Sequence, residues 1–246
     1  MIGNFSASRF AAPLAALCLL AVLAFLFRDS FRANQVVFNN DAPLGRFQAH
    51  AFDEGANFHF WEDLNWLGGE APAAAPNITA GLFHLFNGIF GEKGPVMLAK
   101  FYPLLALWLL GIAAWLFFRA LRFQPAVCLL GALAAVLNGD FFWYACWGLS
   151  SAVLAAACMF LALAAITAAQ QKWSRPLTVL AGLAVGLGVT EGYDVGALFS
   201  LCLAGYVMVL SLNTPGLSMA SRAGWGVARV VVVAGCAAVM AASTLS

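Results

Sequence analysis

Charge is scarce in this sequence. Only 9% of its 246 residues are Asp, Glu, Lys or Arg, and 63% are hydrophobic; an average soluble domain is roughly 25% charged. Twelve basic residues against eleven acidic ones give a net charge of +1, which offers no basis for binding nucleic acid or another polyanion. The apolar excess excludes a disordered chain, and nothing in the composition suggests a collagen-like repeat. The six cysteines, Cys18, Cys128, Cys146, Cys158, Cys202 and Cys236, all fall in apolar runs, and no CxxC occurs. Neither a disulfide framework nor thiol redox chemistry is therefore indicated. Phosphate-loop and nucleophile-elbow motifs are missing as well. One soluble core of this size cannot hide so much apolar surface, which leaves an integral membrane protein.

What the chain does have is long apolar runs. A transmembrane helix needs about 20 mostly apolar residues to cross roughly 30 Å of hydrocarbon. Phe10–Phe27 is an apolar run between Arg9 and Arg28. It is longer than the hydrophobic region of a signal peptide and is followed by Arg28-Asp29, not by a small-residue cleavage site. It reads as an uncleaved first span. Phe101–Phe118, the rise from about Phe123 to Asn138, and the long run Phe141–Ala169, a span with an aromatic lead-in of Phe141, Phe142, Trp143, Tyr144 and Trp147, supply three more. Leu177–Thr190, Val195–Leu212 and Trp225–Leu245 bring the expectation to seven. The expected fold class is thus all-α, a polytopic bundle forming a single transmembrane domain over residues 1–246, with an outer loop at 28–100.

Lys and Arg in short loops set orientation. A cytoplasmic N-terminus puts Arg9, Arg119, Arg122, Lys172, Arg175, Arg222 and Arg229 inside, and residues 28–100 outside. That outer segment holds 13 of the 23 charged groups and 8 of the 11 acids. The other three acids, Asp140, Glu191 and Asp194, lie on the same side. The helices leading to them are short, each rising about 20 Å, so these acids should sit below the outer surface. Ionisable groups at that depth must face protein or water. The expectation is a hydrated acidic cavity open to the outside.

Within 28–100, Leu82, Phe83, Leu85, Phe86, Ile89 and Phe90 fit one helical face, with Asn77 or Thr79 as the N-cap. Such a helix is expected to lie in the headgroup plane. Asp41, in Asn39-Asn40-Asp41-Ala42-Pro43, follows the first span closely. A carboxylate there can serve as general base in group transfer, or simply make an Asx-turn before Pro43. His50, Asp53, Glu54 and His59 are metal-capable, and such a loop could hold a divalent cation, yet their spacing matches no known ligand pattern. Asn77-Ile78-Thr79 is an N-glycosylation triplet, meaningful only in a secretory compartment. Glu191-Gly192-Tyr193-Asp194 places two acids on one helical face, or at a break opened by glycine. It suits donor or metal binding, a proton relay, or an interfacial hairpin. Gly182, Gly186 and Gly188 point to close helix packing.

The order of these features resembles the polytopic glycosyltransferases of the GT-C superfold, and most nearly the YfhO-like family of bacterial membrane proteins. The resemblance covers residues 10–118. It is carried by span one, Asn40-Asp41 with Gln48 following, Trp61…Leu64-Asn65-Trp66-Leu67-Gly68-Gly69, and Pro76…Leu82-Phe83 before span two. It implies a bacterial inner-membrane enzyme with an essential acid in its outer loop, a polyprenyl-phosphate-sugar donor and an acceptor reached from outside. Asp41 takes the acid's place, and Gln48 a substrate-binding one. Such enzymes usually carry more spans and a further outer domain. Around Asp41, the cations Arg32, Arg46, Lys93 and Lys100 could neutralise a donor phosphate, while Asp140, Glu191 and Asp194 would line the cavity. Two other readings fit the sequence. One is a non-catalytic membrane subunit whose aromatic outer loop docks a partner; the other is a transporter using Glu191 and Asp194 as ion sites, although no inverted repeat is evident.

Overall fold

Long apolar runs with no water to satisfy their backbone must hydrogen-bond to themselves, so they become helices. A computed structural model describes residues 10–37, 41, 44, 61–62, 69–70, 78–172 and 174–242. Among them the elements are α1 (Ala11–Leu26), α2 (Ile78–Phe90), α3 (Gly94–Ala120), α4 (Pro125–Val136), α5 (Gly139–Trp147), α6 (Ser150–Lys172), α7 (Arg175–Leu212) and α8 (Met219–Ala241). Two short strands, β1 (Trp61–Glu62) and β2 (Gly69–Glu70), pair antiparallel within the 28–100 segment. Pro125 and Pro176 open α4 and α7, where a missing N–H costs nothing.

Four helical stretches, 78–120, 150–170, 175–212 and 219–241, are long and apolar enough to cross a membrane. The pair α4 and α5, bent by 50° between them, makes a fifth if counted as one span. α1 is apolar but shorter. The best windows of α7 and α8 are only 22% and 11% buried, and Leu198, Leu201, Val231 and Val239 point outward. Water would not tolerate that much contiguous apolar surface; hydrocarbon does. The chain thus has the helices of an integral membrane protein.

Two of those stretches fold back on themselves. A Cβ built on Gly196 would lie 2.2 Å from the Gly188 carbonyl oxygen. In a straight helix these residues would be about 12 Å apart. Gly192, with φ −141° and ψ 55°, is the non-helical residue between them, so α7 consists of two antiparallel arms, 175–191 and 193–212. Likewise Gly94 sits against the Asn87 backbone, and Gly91, at φ 56°, makes the left-handed turn that reverses α2 onto the start of α3. The amphipathic helix expected from the sequence is therefore present, and it runs antiparallel along α3 with Leu82, Phe83 and Phe86 packed against the core.

Side-chain pairs fix the direction of every pass. Trp108 in α3 donates its indole N–H to the Ala16 carbonyl at 2.9 Å, and Phe31 packs on Phe101, so α1 and α3 are antiparallel. Gly131 faces Phe118 while Gly111 faces Val136, so α4 returns along α3. α5 carries the chain on, with Phe142 against Phe27. Gly148, at φ 94°, turns it into α6, so the expected aromatic lead-in, Phe141 to Trp147, lies in a helix of its own ahead of the longer one. Gly192 lies on Ala152 and Ala155, Gly188 on Cys158, and the Thr167 hydroxyl meets the Tyr206 hydroxyl at 2.8 Å. Finally Gly226 contacts Met208, Gly182 contacts Cys236, and Gly186 contacts Met240, which makes α8 antiparallel to the second arm of α7. Among the described residues the chain passes seven times between two ends of one bundle. One end gathers Asp29, Lys93, Asp140, Glu191 and Asp194; the other gathers Arg119, Arg122, Arg175 and Arg222.

At that second end Gln170 ties three helices together. Its amide donates to the Leu210 carbonyl at 3.3 Å and to Thr214 Oγ1 at 2.5 Å, and its carbonyl accepts from the Arg229 guanidinium. Arg222 donates to the Leu217 and Leu212 carbonyls, closing the end of α7.

The fold-back depends on the absence of a side chain at Gly196. Gly196→Ala is expected to lower stability by about 1–3 kcal/mol, the range for forced overpacking. Gly205→Ala, at a position with open space, should be neutral or stabilise by up to about 1 kcal/mol through helix propensity. Thermal unfolding of the two variants in detergent compares them directly.

Candidate functional site at the Glu191 end of the bundle

The turn in α7 leaves Glu191 at the end of its first arm, buried at 7% exposure. A buried carboxylate requires donors. It finds them 112 residues away in sequence, at the start of α2. The Thr79 backbone N–H donates to Glu191 Oε1 at 2.7 Å, and the Thr79 hydroxyl donates to Oε2 at 2.7 Å. Having given its proton there, Thr79 Oγ1 accepts from the Tyr102 hydroxyl at 2.5 Å. The first-turn amides of a helix have no partners within it, so a carboxylate from elsewhere is a good cap there and suits the positive end of the helix dipole. Of the two expected N-caps, Thr79 lies inside the helix and its amide is taken by Glu191, while Asn77, just before the helix, lies outside the described residues. Tyr102 stands about 12 Å along α3 from Gly94, which puts Glu191 below the outermost turn, as the short helix leading to it suggested.

A second anchor lies on the same stretch of α3. Lys100, 6% exposed, donates to the Arg32 carbonyl at 2.6 Å and to the Ala33 carbonyl at 3.3 Å. Its charge is spent on the backbone that leaves α1 through the 3-10 turn Arg28–Phe31. Val36, Val37 and Leu44 pack against the core cluster of α1, α3, α4 and α6. Asp41, between those anchors, is exposed.

The remaining expected site residues are distributed differently. Asp194 is exposed, with Oδ1 accepting from the Val195 N–H at 2.8 Å. Asp140 is exposed in the first turn of α5, which Asn138 caps through its Oδ1. The structure brings Glu191 to Thr79 and Tyr102, and it does not bring Asp140 into that cluster. Lys93 is exposed in the turn Gly91–Lys93. Arg32, also exposed, pairs with Asp29 at 3.4 Å. Arg46, Gln48 and the cluster His50, Asp53, Glu54 and His59 lie outside the described residues. Among the described residues no group of three or more His, Cys, Asp or Glu is placed to hold a metal ion. A cavity of about 330 Å³ lies away from this end, between the arms of α7 and α8, lined by Val185, Leu201, Ala204, Val233 and other apolar residues.

Sequence reasoning missed Tyr102, the pairing of Thr79 with Glu191 and the backbone role of Lys100. Thr79 stood out as a candidate helix cap and within a glycosylation triplet, neither of which points to Glu191; the signal for the contact was that a buried acid at 191 had to be answered by donors somewhere. Removing that acid tests the contact. Glu191→Ala leaves the Thr79 amide and the hydroxyl pair without their acceptor and should cost about 1–3 kcal/mol, with α2 becoming the first segment cut in limited proteolysis. Glu191→Gln keeps one acceptor oxygen and should lose less.

Comparison with family models, with curated proteins and with solved structures finds no match for this chain.

Proposed function

We propose that this chain is a membrane-embedded sugar transferase, or the membrane portion of one, acting at the end of the bundle that carries Glu191. The observation that supports it is the exposed Asp41, which lies in sequence between Val36 and Val37 on one side and Leu44 on the other, all packed against the core, downstream of the Arg32 and Ala33 carbonyls that Lys100 holds. A general base needs to be accessible, and Asp41 is exposed. The resemblance of residues 10–118 to polytopic glycosyltransferases gives the reaction class.

In this reading Asp41 takes the proton from an acceptor hydroxyl as that oxygen bonds to the anomeric carbon of the donor sugar. The bond from that carbon to the phosphate oxygen breaks, and the polyprenyl phosphate leaves with the electron pair. Cations near the leaving phosphate lower its cost. Lys93 and Arg46 are the candidates, and Arg32 joins them if it exchanges Asp29 for phosphate. Lys100 is a positioning residue, since its ammonium already serves two carbonyls. Gln48 would orient the donor, and Asp140 and Asp194 would face the same aqueous side.

The bundle's two ends support the sidedness. Arg119, Arg122, Arg175 and Arg222 share one end, which the distribution of basic residues assigns to the cytoplasm. The other end then faces outward from a bacterial inner membrane, and the seven passes are its spans. A second reading keeps one observation of its own: α8 and the outer faces of α7 are largely uncovered, a surface that a partner subunit could occupy in place of lipid.

Asp41→Asn is expected to lower transfer from a polyprenyl-phosphate-sugar about 10²–10⁴-fold without changing yield or melting temperature; undiminished transfer would remove Asp41 from the mechanism. Sidedness is checked with a membrane-impermeant thiol reagent on intact cells. A cysteine placed at Asp194 should react and one at Arg222 should not.

A further inference from the structure

The contact between Thr79 and Glu191 has the geometry of a ligand complex. Both carboxylate oxygens are used, each at 2.7 Å, by two donors on adjacent carbons: the nitrogen on Cα and the oxygen on Cβ of one residue. A vicinal diol presents the same arrangement, two donors on neighbouring carbons, and engages a carboxylate in the same two-pronged way. The third partner fits as well. Thr79 Oγ1 donates to Glu191 and accepts from Tyr102, as a sugar hydroxyl can.

The element that delivers Thr79 is lightly held. No residue of α2 is buried. Its inner side touches α3 through Leu82, Phe83 and Phe86, while Leu85, Ile89 and Phe90 are 54%, 63% and 42% exposed. Its far end is the reversal at Gly91, a left-handed turn in a residue that pays little for changing conformation. One end is hinged and the other is latched by a polar contact. Beneath the latch lie a buried carboxylate and a phenol, both on firmly packed helices; Tyr102 is 3% exposed.

We propose that α2 is a lid, and that Thr79 occupies, in the closed state, a sugar-diol site formed by Glu191 and Tyr102. A sugar bearing vicinal hydroxyls displaces Thr79, takes both carboxylate oxygens, and accepts from the Tyr102 hydroxyl. No bond is made or broken; one set of hydrogen bonds is exchanged for another, so the balance between lid and ligand is close. This inference deepens the transferase reading and rests on it, because it assigns to Glu191 the recognition of the donor's sugar.

The test uses the full chain in nanodiscs and follows amide hydrogen exchange over residues 78–83. Methyl α-D-glucopyranoside is the probe, and cyclohexanol, with a single hydroxyl, is the control. The sugar is expected to speed exchange at the start of α2, and cyclohexanol to leave it unchanged. Thr79→Val removes one of the donors with which the lid holds Glu191, so it should bind the sugar about tenfold more tightly, the size of one hydrogen bond's net contribution. Thr79→Ser keeps both donors and should match the parent. Glu191→Gln should show no response to sugar. Exchange that the sugar leaves unchanged in the parent chain, or a Thr79→Val variant that binds no more tightly, overturns the proposal. If Asp41→Asn abolishes transfer while α2 ignores the sugar, this inference fails alone. If α2 responds to sugar in a chain that transfers nothing, the transferase reading fails and the diol site stands.

Discussion

A carboxylate enclosed by apolar helices must be given hydrogen-bond donors, and in this protein that requirement joins parts of the chain that share no sequence neighbourhood. Glu191 ends the rising arm of α7, at the point where Gly192 breaks the helix and the chain turns back. Its two oxygens take the amide and hydroxyl of Thr79, which fixes where α2 begins. Tyr102 adds α3 through the same hydroxyl. Three elements are registered by one side chain. Lys100, on the same stretch of α3, does the corresponding work for the backbone leaving α1. The outer segment that carries Asp41 is consequently bordered by two polar anchors, one cationic toward carbonyls and one anionic toward a helix start.

Close approach of backbones is the other constraint. Between helices surrounded by hydrocarbon there is little hydrophobic gain from association, so contact area and small residues decide the packing. Gly182 and Gly186 seat α8 against the first arm of α7, with Val233, Cys236 and Met240 where a Cβ would lie. Gly188 lets α6 approach through Cys158 and Ala155, and it leaves room for Gly196 at the fold-back. A substitution at 196 meets backbone, which has nowhere to move, whereas one at Gly226 meets the flexible end of Met208. The glycines therefore differ in importance according to what faces them.

Much of the fold could be read from the order of residues. Apolar length marked the chain as a bundle of membrane-crossing helices, because crossing hydrocarbon is a local demand on composition. Glu191-Gly192 was legible as a break on the same grounds. The orientation of α2 was not, since an apolar face at helical spacing is the same whether it meets headgroups or a neighbouring helix. The aromatic lead-in after Phe141 was legible, but the left-handed turn at Gly148 that ends it was not.

The candidate site divides along the same line. The sequence by itself determined that this is a membrane bundle, that most of its acids fall within residues 28–100, and that Asp41 follows the first apolar run; each is a matter of composition along the chain. Only the tertiary structure decided which acid is spoken for. Asp140 and Asp194 are exposed, Glu191 is enclosed by Thr79 and Tyr102, and Lys100 faces carbonyls in place of a phosphate. Those outcomes turn on contacts between residues far apart in the chain, where the donor for a buried charge is chosen by what the packing brings within 3 Å.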